Sequence, residues 1–288
     1  MKKLSDISNI KDILSRHGFK ISKALGQNFL INPSVCPRMA QACLADKNSG
    51  VIEIGPGIGV LTQELAQVAG KVVAIELDKR LLPVLDETLA NFDNVKVIND
   101  DILKTDLNSL IRDEFGSTEV SVCANLPYYI TSPVIMKLLE SRLPIKALTV
   151  MVQREAAQRI CAEPCSRDVG AVSIAVRYYA EPEILFRVSP GSFMPAPKVE
   201  SAVIRLNIRK RPCVEVKDEK TFFSVVKAAF SQRRKTLVNS LSSGLSVEKS
   251  QIAAVLEELC LPANIRAEQL SMRQFADIAD KIYCINKK

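Results

Sequence analysis

The 288-residue chain contains no tryptophan, a single histidine, and aromatic side chains at only 5% of positions. One histidine, His17, rules out a histidine-based triad or a multi-histidine metal centre, and its polar surroundings mark it as a surface residue. No apolar run reaches the roughly 20 residues needed to span a bilayer. The opening "MKKLSDISNIKD" has no apolar core of the kind a signal peptide carries, so a cytoplasmic location is expected. The eight cysteines are not arranged for metal binding. Only Cys161 and Cys165 are close, and "CAEPC" has no second pair or histidine to complete a zinc site. Reduced, buried thiols are the expectation.

What is present is ordinary globular material, 47% hydrophobic and 25% charged, enough for one large domain and a smaller one. The net charge of +7 is uneven. Residues 209–288 carry 15 Lys and Arg against 9 Asp and Glu, and residues 1–30 carry 6 against 2, which leaves the middle slightly acidic. Basic ends around such a body suit a polyanion held from two sides; solvated basic surface accounts for the charge equally well.

From residue 51 to 152, short β-branched runs alternate with amphipathic segments. "VIEI" (51–54), "KVVAIE" (71–76), "NVKVI" (94–98), "EVSVCA" (119–124) and "KALTVMV" (146–152) read as strands separated by helices, the pattern of a parallel, doubly wound sheet. "EILFRV" (183–188) and "SAVIRLNI" (201–208) are two further strands. The proline-rich loop between them can be neither helix nor central strand. After "RKRPC" the pattern turns helical. The expected division is therefore a catalytic α/β domain at 1–208 and an all-helical domain at 209–288.

"VIEIGPGIGVLTQEL" is a strand, a glycine loop and a helix. Gly55, Gly57 and Gly59 allow close backbone approach to a ligand, but Val60 stands where a dinucleotide fingerprint needs glycine. The spacing suits a nucleoside without a pyrophosphate, such as S-adenosylmethionine. Glu76 ends the next strand, 21 positions after Gly55, where a carboxylate can accept ribose hydroxyls. Asp101 ends the third, placed for an adenine amino group.

The fourth strand runs into Asn125-Leu126-Pro127-Tyr128-Tyr129. The N6 lone pair of adenine is delocalised into its ring, which makes it a poor nucleophile. The Asn125 side-chain oxygen and the Leu126 carbonyl, accepting its two hydrogens, would draw the nitrogen toward tetrahedral geometry. Pro127 braces that carbonyl, and Tyr128 offers a stacking face. Taken alone, the same residues are a turn before a helix starting near Thr131 or Ser132. Tyr129 gains no role beyond packing.

Together these residues resemble the rRNA adenine N6-dimethyltransferases, the KsgA family. "ALGQNFLIN" (24–32), "EIGPGIGVLT", "NLPYYITSPVI", "MVQREAAQRI", "SFMPAPKVESAVIRL" and "AFSQRRKTLVNSL" match its blocks along nearly the whole chain. The resemblance implies a Rossmann-like S-adenosylmethionine-dependent methyltransferase sheet with a smaller all-helical C-terminal domain. It implies that Asn28 and Leu30 touch the cofactor, together with Gly55, Glu76, Asp101 and Asn125. It also implies that Phe193 closes on the base opposite Tyr128. The implied substrate is a pair of adjacent adenosines in a hairpin loop near the 3′ end of 16S rRNA, each dimethylated within immature small ribosomal subunits. No membrane or metal is implied, and a monomer is the expected state.

Arg233, Arg234 and Lys235 are the strongest basic group outside the pocket and are expected to reach RNA phosphate, with capping of helix-end carbonyls as the competing role. Two other functions fit the same residues. One is a large-subunit rRNA dimethyltransferase of the Erm type, which shares the catalytic motifs. The other is an assembly factor whose binding to immature subunits matters more than its catalysis.

Overall fold

The computed structural model describes residues 4–20, 27–232 and 234–287. The described strands are β1 (Phe29–Leu30), β2 (Gly50–Ile54), β3 (Lys71–Glu76), β4 (Val95–Asn99), β5 (Val120–Asn125), β6 (Ile145–Gln153), β7 (Ala180–Val188), β8 (Phe193–Met194) and β9 (Ser201–Ile208). The helices are α1 (Ile7–Arg16), α2 (Val35–Ala42), α3 (Val60–Val68), α4 (Leu82–Thr88), α5 (Leu107–Phe115), α6 (Thr131–Glu140), α7 (Arg154–Ile160), α8 (Ala171–Tyr179), α9 (Glu219–Phe230), α10 (Leu237–Leu245), α11 (Lys249–Glu258) and α12 (Met272–Asn286).

Seven strands form one sheet in the order β4-β3-β2-β5-β6-β9-β7. The steps from β4 to β6 are parallel, and β9 runs antiparallel to β6. Every residue of β2 is buried, as expected for a central strand covered on both faces. On one face Met39 of α2 and Leu61 and Leu65 of α3 pack with Val51, Val72 and Cys123. The order reverses between β2, which leads on to β3 and β4, and β5, which leads on to β6. That is the switch point at which open α/β sheets take ligands.

The sequence-based strands fall within a few residues of the observed ones. The amphipathic stretch at 78–92 forms a single turn of 3-10 helix and the short α4, which ends at Thr88. The N-terminal α1 lays Ile10, Ile13 and Leu14 against Val84, Leu85 and Leu89. His17 is half-buried, its Nε2 at 2.6 Å from Glu87 Oε2, so it is more than a surface residue.

The chain divides into two compact units, Met1–Ala157 with Glu183–Ile208, and Gln158–Pro182 with Arg209–Lys288. The helical unit therefore claims a segment that the 209 boundary left with the sheet. Ile174 and Tyr178 of α8 share a core with Phe222, Leu241, Ile252 and Phe275. The Tyr178 hydroxyl donates to Glu219 Oε1 at 2.7 Å. Of the eight free cysteines, Cys36, Cys43 and Cys123 are buried, whereas Cys165, Cys260 and Cys284 are exposed. The expectation of buried thiols fails at these three: Cys165 and Cys260 lie in turns, and Cys284 lies on α12. Among the described residues no helix is long and apolar enough to cross a membrane, and no His/Cys/Asp/Glu group could hold a metal ion.

Candidate functional site

The carboxyl ends of β2, β3, β4 and β5 open into one cavity of about 330 Å³. Asn28, Leu30, Gly55, Gly57, Glu76, Asp101, Asn125, Leu126, Pro127, Tyr128 and Phe193 all line it. These residues are scattered over more than half of the chain; the parallel register gathers those at the ends of β2 to β5 at one edge, and Asn28, Leu30 and Phe193 come with β1 and β8.

The loop after β2 holds Gly55, Gly57 and Gly59 at φ of +70°, +60° and +88°, a region costly for side chains with a Cβ. Gly59 does not line the cavity. A Cβ there would meet Leu89 Cδ2 at 3.1 Å and Thr88 Oγ1 at 3.2 Å, so its glycine serves packing against α4. Gly57 faces the ligand side, and its N–H donates to Glu76 Oε2 at 3.3 Å.

Glu76 is 6% exposed, and its Oε1 accepts the Asp78 N–H at 2.8 Å. Burial pushes its carboxyl above the ordinary range, while the backbone N–H groups of Asp78 and Gly57 pull it back. Asp101 does double duty. Its Oδ1 accepts the Leu103 N–H at 3.0 Å, the turn-capping role any such acid could play, yet the residue also lines the cavity. Gln27 Nε2 donates to Asp78 Oδ2 at 2.9 Å, tying the residue before Asn28 to the loop after β3.

Three features of the site escape sequence reasoning. Glu53, 1% exposed, borders the cavity, and its Oε2 has no hydrogen-bond partner. Burial pushes its carboxyl up to about 8, and the Thr62 Oγ1 is likewise buried without a hydrogen-bond partner. Nothing in "VIEIG" separates this glutamate from an outward-facing one. Second, Tyr128 Oη lies 2.8 Å from Ser201 Oγ, and Ser201 is fully buried at the start of β9. That pairing spans 73 residues, and only the antiparallel Gln153–Ser201 register explains it. Third, β1 and β8 form a two-stranded ladder that sets Leu30 opposite Phe193. Ser192 O accepts the Ile31 N–H at 2.9 Å, and Asn32 Nδ2 donates to Ser192 Oγ at 3.1 Å. Phe193 is 4% exposed, packed with Leu30 and Val188, and forms part of the cavity wall.

The Asn-Leu-Pro-Tyr segment is a turn before a helix, and it borders the cavity as well. Pro127 O accepts the Ile130 N–H at 3.1 Å, a 3-10 turn spans Tyr128–Ile130, and α6 begins at Thr131. The same turn faces Tyr128 into the cavity wall. Tyr129 does not pack: it is 60% exposed.

Arg234 and Lys235 lie in the turn between α9 and α10, both exposed; Arg233 lies outside the described residues, as do residues 24–26 of "ALGQNFLIN". The cavity's fittings suit a nucleoside: a glycine loop for close approach, a buried carboxyl at the end of β3 and an acid just past the end of β4, with the unpartnered Glu53 Oε2 on the same wall.

Comparison with known proteins points the same way. The family model for ribosomal RNA adenine dimethylase matches residues 18–283. A curated relative from Alkaliphilus oremlandii, ribosomal RNA small subunit methyltransferase A, is 47% identical over 98% of this chain and 99% of its own length. A solved dimethyladenosine transferase from Plasmodium falciparum superposes with a TM-score of 0.75 at 26% identity, covering 90% of this chain and 98% of that one. The 23S rRNA methyltransferase ErmE superposes with a TM-score of 0.68 at 25% identity, covering 89% and 100%.

Proposed function

Because the chain belongs to the ribosomal RNA adenine dimethylase family, we propose that it dimethylates N6 of two adjacent adenosines in a hairpin loop near the 3′ end of small-subunit rRNA, acting on immature subunits. S-adenosylmethionine is the methyl donor, and when bound it supplies a methyl group already activated on a sulfonium.

The observation that carries this reading is the convergence of Asn125, Leu126 and Tyr128 on the cavity that Glu76, Asp101 and the glycine loop also line. Glu76 accepts the ribose hydroxyls, and Asp101 accepts the adenine amino group of the cofactor. Asn28 and Leu30 close the cofactor side. The Asn125 side-chain oxygen and the Leu126 carbonyl hold the target amine by its hydrogens, so that its lone pair is localised and aimed. Tyr128 supports the target purine by stacking, a contribution of roughly 1–3 kcal/mol. No strong base is required, because positioning and electrostatics provide the rate. Arg234 and Lys235 offer charge for phosphate outside the pocket.

The small-subunit assignment over the large-subunit one is supported by the 47% identity to a small-subunit methyltransferase along nearly both full lengths. Primer extension on rRNA from cells lacking the protein tests it. The expected result is loss of the paired stops in small-subunit RNA, restored by the wild-type chain but not by Asn125→Ala. Loss of modification in large-subunit RNA alone would refute the assignment. Growth restored by Asn125→Ala without methylation would instead favour the assembly role.

A further inference from the structure

The chain has 10 phenylalanines and 5 tyrosines, all among the described residues, and the fold leaves only Tyr129 exposed. An aromatic ring buries 150–250 Å² when it packs, roughly, and the other fourteen rings are fully or partly buried. Tyr129, at 60% exposure, stands on the border of the cavity beside Tyr128.

Looseness does not account for this exposure. The residue before it is anchored by its hydroxyl to buried Ser201, and two residues after it Thr131 is 3% exposed at the start of α6. The turn itself is closed by the Ile130 N–H on Pro127 O. The local backbone is thus fixed, and it presents the Tyr129 ring to solvent at the mouth of the site.

We propose that Tyr129 is the stacking platform for the nucleotide next to the target adenosine. This rests on the functional reading above. A base drawn out of a single-stranded loop onto Tyr128 leaves its neighbour's face without a stacking partner, at the mouth of the cavity. An aromatic ring held there restores that partner, and stacking tolerates any base because every base has a π-face. The pair Tyr128-Tyr129 then engages two consecutive nucleotides, one inside the cavity and one at its rim.

The test uses the full chain and small ribosomal subunits lacking dimethyladenosine, with Tyr129→Ala, Tyr129→Leu and Tyr129→Trp compared by steady-state methylation. The expected result is a KM for subunits raised about tenfold by Tyr129→Ala and by Tyr129→Leu. Tyr129→Trp should stay near wild type, and S-adenosylmethionine affinity by calorimetry should be unchanged in all three. An unchanged KM in Tyr129→Ala, or rescue by leucine as complete as by tryptophan, overturns the proposal. A parallel loss of cofactor affinity also overturns it, since the ring would then belong to the cofactor wall. If the wild-type chain itself methylates no subunits, the functional reading fails and this inference falls with it.

Discussion

A carboxyl group as deeply buried as that of Glu53 must give up either its charge or some stability. With its folded value pushed up to about 8 from an ordinary 4.5, the group is protonated in folded and unfolded chains alike at low pH. As pH rises past 4.5 the unfolded chain loses its proton first, so stability falls through the window up to about 8 and then levels off. Glu53→Gln, neutral throughout, should remove that slope and gain on the order of a few kcal/mol over wild type at pH 9, read from thermal unfolding of the cofactor-free protein between pH 5 and 9. Parallel curves for the two proteins would contradict the assignment. Ser201 makes a second case at this scale. If it acts by orienting the Tyr128 ring through the 2.8 Å hydrogen bond, Ser201→Ala and Tyr128→Phe should each lower kcat about three- to tenfold and fail to add in the double variant. Additive losses would mean that Ser201 works through the sheet instead. The placement of Asn125, Glu76 and Asp101 on the cavity was legible because each stands at or just past a recognisable strand end. Ser201 and Glu53 were not, since burial and a partner 73 residues away leave no local signature.

At the scale of elements, the glycine loop separates two demands that a sequence shows as one pattern. Gly55 borders the cavity with nothing within 4 Å of a would-be Cβ, whereas Gly59 is crowded by Leu89 and Thr88 and stays off the cavity wall. Both positions have positive φ, so alanine is strained at either, by about 1 kcal/mol. Gly59→Ala adds the collision with α4 and should cost roughly 2–3 kcal/mol of stability, the greater loss in denaturant titrations. Gly55→Ala should cost less stability but more cofactor affinity. A reversed order in either measurement would show that the loop divides its work differently. The β1–β8 ladder belongs to this scale as well. Two strands of two residues each carry no periodicity to detect, yet they place Leu30 against Phe193 and tie the cofactor segment to the far loop. Only the motif resemblance pointed to those residues.

At the scale of the whole molecule, residues 158–182 decide how the chain divides. Val169, Ile174 and Tyr178 share their core with α9 to α12, so a chain ended at residue 208 would strip that segment of its packing. Such a chain should bind a hydrophobic dye and self-associate in size-exclusion chromatography, where a domain complete at 208 would run as a dye-silent monomer. The boundary was placed at 209 because composition changes there; α8 is apolar enough to read as part of either core. By itself the sequence determined the alternation of strands and helices, the family, and the glycine, acidic and Asn-Leu-Pro-Tyr residues that four strand ends bring to the cavity, since period, turn chemistry and motif spacing are local properties. The tertiary structure alone decided that Tyr129 is exposed, that Ser201 holds Tyr128, that Glu53 is an orphaned buried acid, and that α8 belongs with the C-terminal helices. Each of those depends on which distant surfaces cover a residue, and burial by a remote element leaves no trace in the neighbouring letters.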